Sequence, residues 1–349
     1  MERLKPALLK LSRGFTLDRA EAADAFDAVM TGEAEPAQLG ALLAMIQLRG
    51  PSIDELVGAA SVMRAKVVPV ETPQGLRVID TCGTGGDGAE TFNISTAAAI
   101  VAAAAGRPRG VAVAKHGNRA VSSRSGSSQV LEALGVRLTG KPAILTQCLA
   151  ELGLCFCFAP AHHPAMKHAA PVRQQLGFRT LFNLVGPLTN PAGARHQLLG
   201  VFDEALCDPL AQVLLELGTQ SAMVVHGRLG GGALDELSTA GPTVVTELRG
   251  GTLRKWTLDP ASLGLTPIQP KDLAAQGPED SAAIIRRSLR GERSPAREII
   301  ALNAAAALYI ADAAPTLAEG LALALAAIDQ GAAEQTLQRL VALTQADAS

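Results

Sequence analysis

The 349-residue sequence is poor in aromatic residues and carries almost no excess charge. Aromatic residues make up 3% of the chain and the formal net charge is −2, so the basic surface typical of nucleic-acid-binding proteins is missing. The alanine-rich run 97–105 is too short to cross a bilayer, and the N-terminus lacks the basic-then-apolar pattern of a signal peptide. We therefore expect no nucleic-acid partner, no membrane association and a cytoplasmic location.

The cysteine content gives no sign of a disulfide framework. Five cysteines are an odd number, and without a signal peptide they favour reduced thiols in the cytoplasm. Cys155 and Cys157 alternate with Phe156 and Phe158, as they would on a buried strand. A metal site at this C-x-C would need a second pair of ligands at suitable spacing, which the sequence lacks. Packing in the core is therefore the favoured role of both cysteines.

The spacing of the abundant apolar residues predicts an α/β fold. Helical spacing predicts three helices near the N-terminus, at 17–30 with Thr16 as cap, at 35–48 and at 53–65. From Val78 onward, strand-like runs alternate with helices, which predicts a sheet with crossover helices. The later strands are predicted at Val111–Ala114, Cys155–Phe158, Gln197–Val201, Ala222–His226 and Val244–Leu248, and further helices at 163–176 and from about Asp280 onward.

The segment from Asp80 to Thr96 is the most informative part of the sequence. Four glycines within six positions, 83 to 88, lie between a strand-like run and an apolar helix predicted to end before Gly106. The N–H groups of such a bare loop, together with a helix N-terminus, form a phosphate site. The loop matches G-x-G-x-x-G, but Asp87 inside it would repel a pyrophosphate unless a cation lies between them. We therefore expect a metal-bound, highly charged ligand rather than a dinucleotide.

A second loop, Lys115 to Ser127, follows the strand predicted at Val111–Ala114. It contains one lysine, two arginines and four serines, which could form another anion clamp or simply a solvated loop. Ligands of α/β sheets gather at the carboxyl ends of strands, where both loops would lie. The clamp is therefore the favoured interpretation.

Asp235 and Glu236 form an acidic pair after a run of three glycines. Adjacent acidic residues in a loop are usually only solvated, but beside two anion-binding loops they become candidate ligands for Mg²⁺. The histidines at 162, 163 and 168 lack nearby acidic or cysteine partners in the sequence. Helix-start and pocket-wall roles are favoured for them over a metal site.

Five motifs in this order resemble the anthranilate phosphoribosyltransferase family. They are GTGGDG-x-x-TFNIST (Gly83–Thr96), KHGNR-x-VSS-x-SGS (Lys115–Ser127), APAHHPAMKHAAPVR (Ala159–Arg173), FNLVGPLTNP (Phe182–Pro191) and LDELS-x-x-GPT (Leu234–Thr243). The resemblance spans essentially the whole chain. It implies transfer of the phosphoribosyl group of phosphoribosyl pyrophosphate (PRPP) to anthranilate, with release of pyrophosphate, in tryptophan biosynthesis.

The resemblance also implies a set of site residues. Those expected to bind PRPP are Gly83, Gly86, Asp87, Thr91, Asn93, Ile94, Ser95, Thr96, Lys115, His116, Gly117, Asn118, Arg119, Ala120, Val121, Ser122, Ser123 and Ser127. Gly83, Asn118 and Arg173 are expected at anthranilate, with Arg173 as a positioning residue and no side chain as general acid or base. Two Mg²⁺ ions are expected, one touching Ser95 and the other held by Asp235 and Glu236.

The family fold is a small α-helical domain beside a large α/β domain with a central, mostly parallel sheet, as in nucleoside phosphorylases and related phosphoribosyltransferases. We expect residues 1–72 to form the small domain, completed in space by about 163–185, and 73–349 to form the large one. The resemblance further implies a homodimer built through the small domain.

One departure from the family and two rival functions follow from the same residues. The stretch between His226 and Asp235 is longer than the family pattern predicts, and its glycines could shift or loosen the acidic pair. A pyrimidine nucleoside phosphorylase shares the fold and a glycine-rich phosphate loop, but the KHGNR motif and the acidic pair fit it less well. An inactive nucleic-acid-binding relative is disfavoured by the charge, by the few aromatics and by the intact motifs.

Overall fold

The computed structural model describes residues 3–119 and 125–346. Its strands are β1 Arg77–Gly83, β2 Val111–Gly117, β3 Leu154–Phe158, β4 His196–Gly200, β5 Ser221–Leu229, β6 Gly232–Leu234, β7 Thr243–Arg249 and β8 Thr252–Leu258. Its α-helices are α1 Lys5–Ser12, α2 Arg19–Thr31, α3 Pro36–Arg49, α4 Ile53–Ala65, α5 Ile94–Gly106, α6 Ser127–Ala133, α7 Pro142–Leu152, α8 Ala159–His162, α9 Ala170–Leu176, α10 Leu181–Val185, α11 Cys207–Glu216, α12 Pro278–Leu289, α13 Pro295–Ile310, α14 Leu317–Asp329 and α15 Ala332–Ala346.

The strands form one sheet in the order β3-β2-β1-β4-β5-β7-β8, with β6 paired to β5. Strands β1 to β5 run parallel to one another, whereas β6 and β7 are antiparallel to β5, and β8 is antiparallel to β7. A small helical region beside a mostly parallel sheet is the predicted fold class, which is confirmed. Strands β2 and β3 are added on one side of β1, and β4 and β5 follow on its other side. The strand order therefore reverses between β1 and β4.

Alternating side chains on the central strands divide the core between the two faces of the sheet. Leu198 of β4 belongs to the core that contains α5 and α13, while Leu199 faces the core that contains α11 and the N-terminal helices. Met223 and Val224 of β5 divide in the same way, as the two-residue period of a strand requires. Helix α5 is alanine-rich and buried nearly all round, which allows it to pack closely between the sheet and α13.

The N-terminal helices pack together and also receive α9 and α10 from the middle of the chain. Helix α9 contacts α3, and α10 contacts both α3 and α4. The fully buried Glu55 ties this part together: it accepts hydrogen bonds from the backbone of Leu17 and Ser52 and from Arg49. No helix in the described ranges is long and apolar enough to span a membrane.

Several details differ from the sequence-based expectations. The predicted helix 163–176 is divided into a 3₁₀ turn at Pro164–His168 and α9, and α1, β6 and β8 were not predicted. The cap of α2 is Asp18 rather than Thr16, because the helix begins at Arg19 and the Asp18 carboxylate accepts the N–H groups of Ala20 and Glu21. Strand β1 extends to Gly83, so the first residues of the glycine-rich segment are part of the sheet. Cys155 and Cys157 lie fully buried on β3, as predicted.

Candidate active site

The reversal of strand order between β1 and β4 locates the candidate site. The two strands end side by side, with Gly83 of β1 in register with Gly200 of β4. In open α/β sheets the crevice at such a point, outside the carboxyl ends of the strands, is where ligands bind. The glycine loop after β1 and the basic loop after β2 both begin at this edge, as the sequence predicted.

Two glycines at the carboxyl edge of the sheet allow the acidic pair to reach the site. The run of three glycines lies in and beside the turn of the β5–β6 hairpin, after which the chain crosses the ends of β1, β4 and β5. A Cβ at Gly200 would overlap the carbonyl of Asp235, and a Cβ at Gly227 would overlap that of Glu236. Sequence reasoning missed both glycines, although a glycine at the end of a buried strand, as Gly200 is in β4, is a usable signal of close backbone approach.

Hydrogen bonds connect the acidic pair to the glycine loop and to the start of α5. The Gly85 N–H donates to Asp235 Oδ2 at 2.7 Å, and the Ser95 N–H donates to Glu236 Oε1 at 3.0 Å. Asp87 Oδ2 accepts the backbone N–H of Asp235 at 3.2 Å. Two distant parts of the chain therefore bring the carboxylates of Asp87, Asp235 and Glu236 near one another.

This cluster brings three acidic side chains together, with Glu236 buried and Asp87 and Asp235 partly exposed. Burial, and then the nearby charges of Asp87 and Glu236, raise the pKa of Asp235 well above its usual range. Burial raises the pKa of Glu236 to about 7, although Lys115 opposes that shift. Carboxylates held together in this way repel one another, and a bound cation would relieve the repulsion.

The donor set suits Mg²⁺. The candidate ligands are oxygens of Ser95, Asp235 and Glu236, which are the hard ligands that Mg²⁺ prefers. Within residues 3–119 and 125–346, no group of three or more His, Cys, Asp or Glu side chains is placed to hold a metal ion by itself. A cation here would therefore take further ligands from water or from substrate phosphates, which is how Mg²⁺ is usually bound.

The two predicted anion loops meet at the start of α5. Lys115, only 3% exposed, directs its Nζ to the Thr81 carbonyl and to Ser95 Oγ, the latter at 3.1 Å. The Asn93 side chain donates to the Ser125 carbonyl at 3.3 Å, which joins the glycine loop to the basic loop. A lysine and a helix N-terminus thus lie beside the carboxylates, as binding of a magnesium–phosphate ligand requires.

The other predicted PRPP residues differ in position. Ile94 and Thr96 have buried side chains, so only their backbone groups could reach a ligand. Thr91 pairs with Ala274, and Arg119 is exposed and forms an ion pair with Glu132 at 3.2 Å. Gly86 and Asp87 lie in the glycine loop, and His116 and Gly117 end β2. Asn118 is exposed, and its carbonyl accepts a hydrogen bond from the Ser127 hydroxyl. Ala120, Val121, Ser122 and Ser123 lie outside the described residues.

The segment from α8 to α10 borders the site at two points. At one, His163 Nε2 lies 3.2 Å from His116 Nε2. Burial lowers the pKa of His163 to about 4 and that of His116 well below its usual value, so both rings are neutral at pH 7. At the other, the Arg179 guanidinium donates to the Gly86 carbonyl. Sequence reasoning missed Arg179, and no motif marked it.

Arg173 lies on α9, between these two contacts. Its guanidinium carbon is 5.2 Å from the ring centroid of Phe182, and burial lowers its pKa. Among the described residues it forms no ion pair with a carboxylate side chain. A half-buried cation without an acidic partner among the described residues is suited to bind the carboxylate of a ligand.

Comparison with known proteins agrees with this fold. The helical bundle domain of a glycosyl transferase family matches residues 5–67, and the α/β domain of the same family matches residues 75–334. The anthranilate phosphoribosyltransferase of Methylobacterium nodulans is 51% identical over 346 residues, which cover 99% of this chain and 100% of the relative.

Two solved structures extend the comparison. The anthranilate phosphoribosyltransferase of Thermus thermophilus has a TM-score of 0.89 and 43% identity, over 99% of this chain and 100% of that one. The enzyme of Saccharomyces cerevisiae, in complex with PRPP and Mg, has a TM-score of 0.87 and 25% identity, over 98% of each chain. The fold and its site thus define a protein of the glycosyl transferase family. More narrowly, the chain belongs to the anthranilate phosphoribosyltransferases.

Proposed function

We propose that this chain transfers the phosphoribosyl group of PRPP to the amino nitrogen of anthranilate, releasing pyrophosphate, in tryptophan biosynthesis. The observation that carries the proposal is one crevice, where two anion-binding loops and three carboxylates meet. The segment that borders this crevice carries the half-buried Arg173, which has no acidic partner among the described residues. The similarity to an anthranilate phosphoribosyltransferase that is 51% identical in sequence over 99% of this chain supports the proposal.

The glycine loop, the start of α5 and the basic loop would bind PRPP. Backbone N–H groups of Gly86 and Asp87 and the Lys115 ammonium are the donors suited to its phosphates. Ser95 would contact one Mg²⁺ ion, and Asp235 and Glu236 would bind a second. When bound, the metal would neutralise the charge that develops on the departing pyrophosphate. The yeast relative was solved with PRPP and Mg, which supports the metal and leaves two ions as our proposal.

Arg173 would pair with the anthranilate carboxylate and aim the amine at C1 of the ribose, with Asn118 and the backbone of Gly83 nearby. The amine resembles aniline and is largely unprotonated at neutral pH, so it needs no general base. The main barrier is cleavage of the bond between C1 and the pyrophosphate oxygen. Positioning and charge stabilisation therefore account for the catalysis we propose.

Loss of anthranilate fluorescence tests the function directly. With PRPP and Mg²⁺ present, we expect a decay that requires PRPP and is abolished by EDTA. Folded protein that gives no decay would contradict the proposal. Phosphorolysis of a pyrimidine nucleoside without Mg²⁺ would then favour the phosphorylase, and salt-dependent binding of single-stranded DNA would favour the nucleic-acid-binding relative.

We also propose a division into two domains: residues 1–72, completed in space by about 163–185, form the small helical domain, and 73–349 form the large one. The chain would form a homodimer through the helical domain. Large apolar side chains stay exposed on this side: Leu48 is 89% exposed and Phe15 60%. Analytical ultracentrifugation of the wild-type protein should give twice the chain mass of 35.9 kDa. The double variant that carries both Leu48→Ser and Phe15→Ser should sediment as a monomer. A wild-type monomer at micromolar concentration would refute the dimer.

Five free thiols, all buried, support a reducing cytoplasmic location.

A further inference from the structure

Arg179 connects the α9–α10 segment to the glycine loop. It lies between α9 and α10, which pack on the N-terminal helices, yet its guanidinium donates to the Gly86 carbonyl beyond the end of β1. The same guanidinium lies over the ring of Phe202, with its central carbon 4.2 Å from the ring centroid. Although the residue is exposed, a hydrogen bond in the guanidinium plane and a ring against its face hold the group in one orientation.

The stacking partner belongs to the same assembly. Phe202 follows β4, and its backbone N–H donates to Thr84 Oγ1 at 3.2 Å. The Thr84 N–H in turn donates to the Gly200 carbonyl at 2.9 Å. Phe202 is therefore anchored to the first residues of the glycine loop, and the ring supports the arginine from a fixed position.

The hydrogen bond to the carbonyl determines how the next peptide group faces. In a trans peptide the C=O of Gly86 and the N–H of Asp87 point in opposite directions. With the carbonyl directed to Arg179, the Asp87 N–H points away from Arg179. Gly86 has a φ of +82°, and a Cβ at this position would overlap the guanidinium, so the arrangement depends on glycine.

Resting on the function proposed above, we propose that Arg179 is a positioning residue for the diphosphate group of PRPP. By holding the Gly86 carbonyl, it directs the Asp87 N–H toward the diphosphate and keeps the loop in its binding conformation. The Asp87 side chain is itself held by the N–H groups of Ala89 and Asp235, so the peptide is fixed on both sides. Lysine cannot replace the arginine. An ammonium group has no planar face to place against the Phe202 ring while it donates to the Gly86 carbonyl.

The test compares Arg179→Gln, Arg179→Lys and Phe202→Leu with Arg290→Gln, an exposed arginine that pairs with Glu334 on the far helices. We expect Arg179→Gln and Arg179→Lys to raise the KM for PRPP by about tenfold, the value of one charge-assisted hydrogen bond, with the KM for anthranilate nearly unchanged. Titration calorimetry with Mg²⁺ and pyrophosphate should show the same loss of affinity. Phe202→Leu should give a smaller loss in the same direction, and Arg290→Gln none.

Three results would overturn the proposal: an unchanged KM for PRPP in Arg179→Gln, an equal rise in both KM values, or full rescue by lysine. If Arg179→Gln lowers the melting temperature, Phe202→Leu decides, since it removes the ring and leaves the guanidinium in place. Wild-type protein without any PRPP-dependent turnover would refute the proposed function instead. The two failures are therefore distinguishable.

Discussion

Arg173→Ala is expected to raise the KM for anthranilate by roughly 10- to 100-fold, while the KM for PRPP changes little. Arg173 is half-buried on α9, and burial already lowers its pKa, so it should gain strongly from pairing with a carboxylate. A hydrogen bond to a charged group contributes about 1.5–3 kcal/mol, which corresponds to this range. Steady-state kinetics with each substrate varied in turn measures both constants.

Two further variants sharpen this experiment. Arg173→Lys keeps the charge but loses the planar fork, so only partial recovery is expected. Lys167→Ala removes an exposed cation from the same segment and should leave both KM values near wild type. An equal rise of the two KM values in Arg173→Ala would contradict the anthranilate-positioning role.

Asp235→Asn is expected to lower kcat/KM at saturating Mg²⁺ by at least about 100-fold, in line with the loss of one group that stabilises transition-state charge. The same substitution should raise the melting temperature of the metal-free protein near pH 8. It removes one of three clustered carboxylates, while the amide oxygen can still accept the Gly85 N–H. Activity and metal-free stability would thus change in opposite directions, which a general folding defect cannot produce.

The pH dependence of stability follows from the same cluster. The folded-state pKa of Glu236 is raised to about 7 and that of Asp235 is also raised well above its usual range, so the folded protein binds more protons than the unfolded chain. This contribution to stability is complete below the unfolded pKa values and is lost as pH rises through the folded ones. Without Mg²⁺ the melting temperature should therefore fall as the pH rises from the unfolded pKa values toward about 7, and Mg²⁺ should reduce the fall.

Thermal unfolding with and without Mg²⁺ measures both effects. Glu151→Gln, at an exposed acidic residue on α7, controls for the loss of a charge elsewhere and should leave the Mg²⁺ response unchanged. A melting temperature of Asp235→Asn that is lower than wild type without metal would show that the carboxylate stabilises the fold. The cation-binding interpretation of the cluster would then be wrong.

Local features of the fold were predictable because neighbouring residues determine them. Helix α4 occupies the predicted range 53–65, because Ser52 caps it, Glu55 completes the capping box and Gly50 precedes the break. The cap of α2 was misplaced by two residues, since Thr16 and Asp18 are both acceptable caps in sequence and only the chain path selects one. The two anion loops and the acidic pair were recognisable as motifs because their chemistry needs particular residues at short spacing.

What the sequence by itself determined is therefore the fold class and many of its elements, among them helix α4 and the strands β1 to β5 and β7, and it predicted the residues of the candidate site. The tertiary structure alone decided how these parts meet: the reversal of strand order between β1 and β4, the passage of the Asp235 backbone over Gly200, and the contact of Arg179 with Gly86. The physical reason is the range of the interactions. Caps, turns and apolar periodicity act over a few residues, whereas strand order and close backbone contacts join residues tens to more than a hundred positions apart, and many arrangements satisfy the same local preferences.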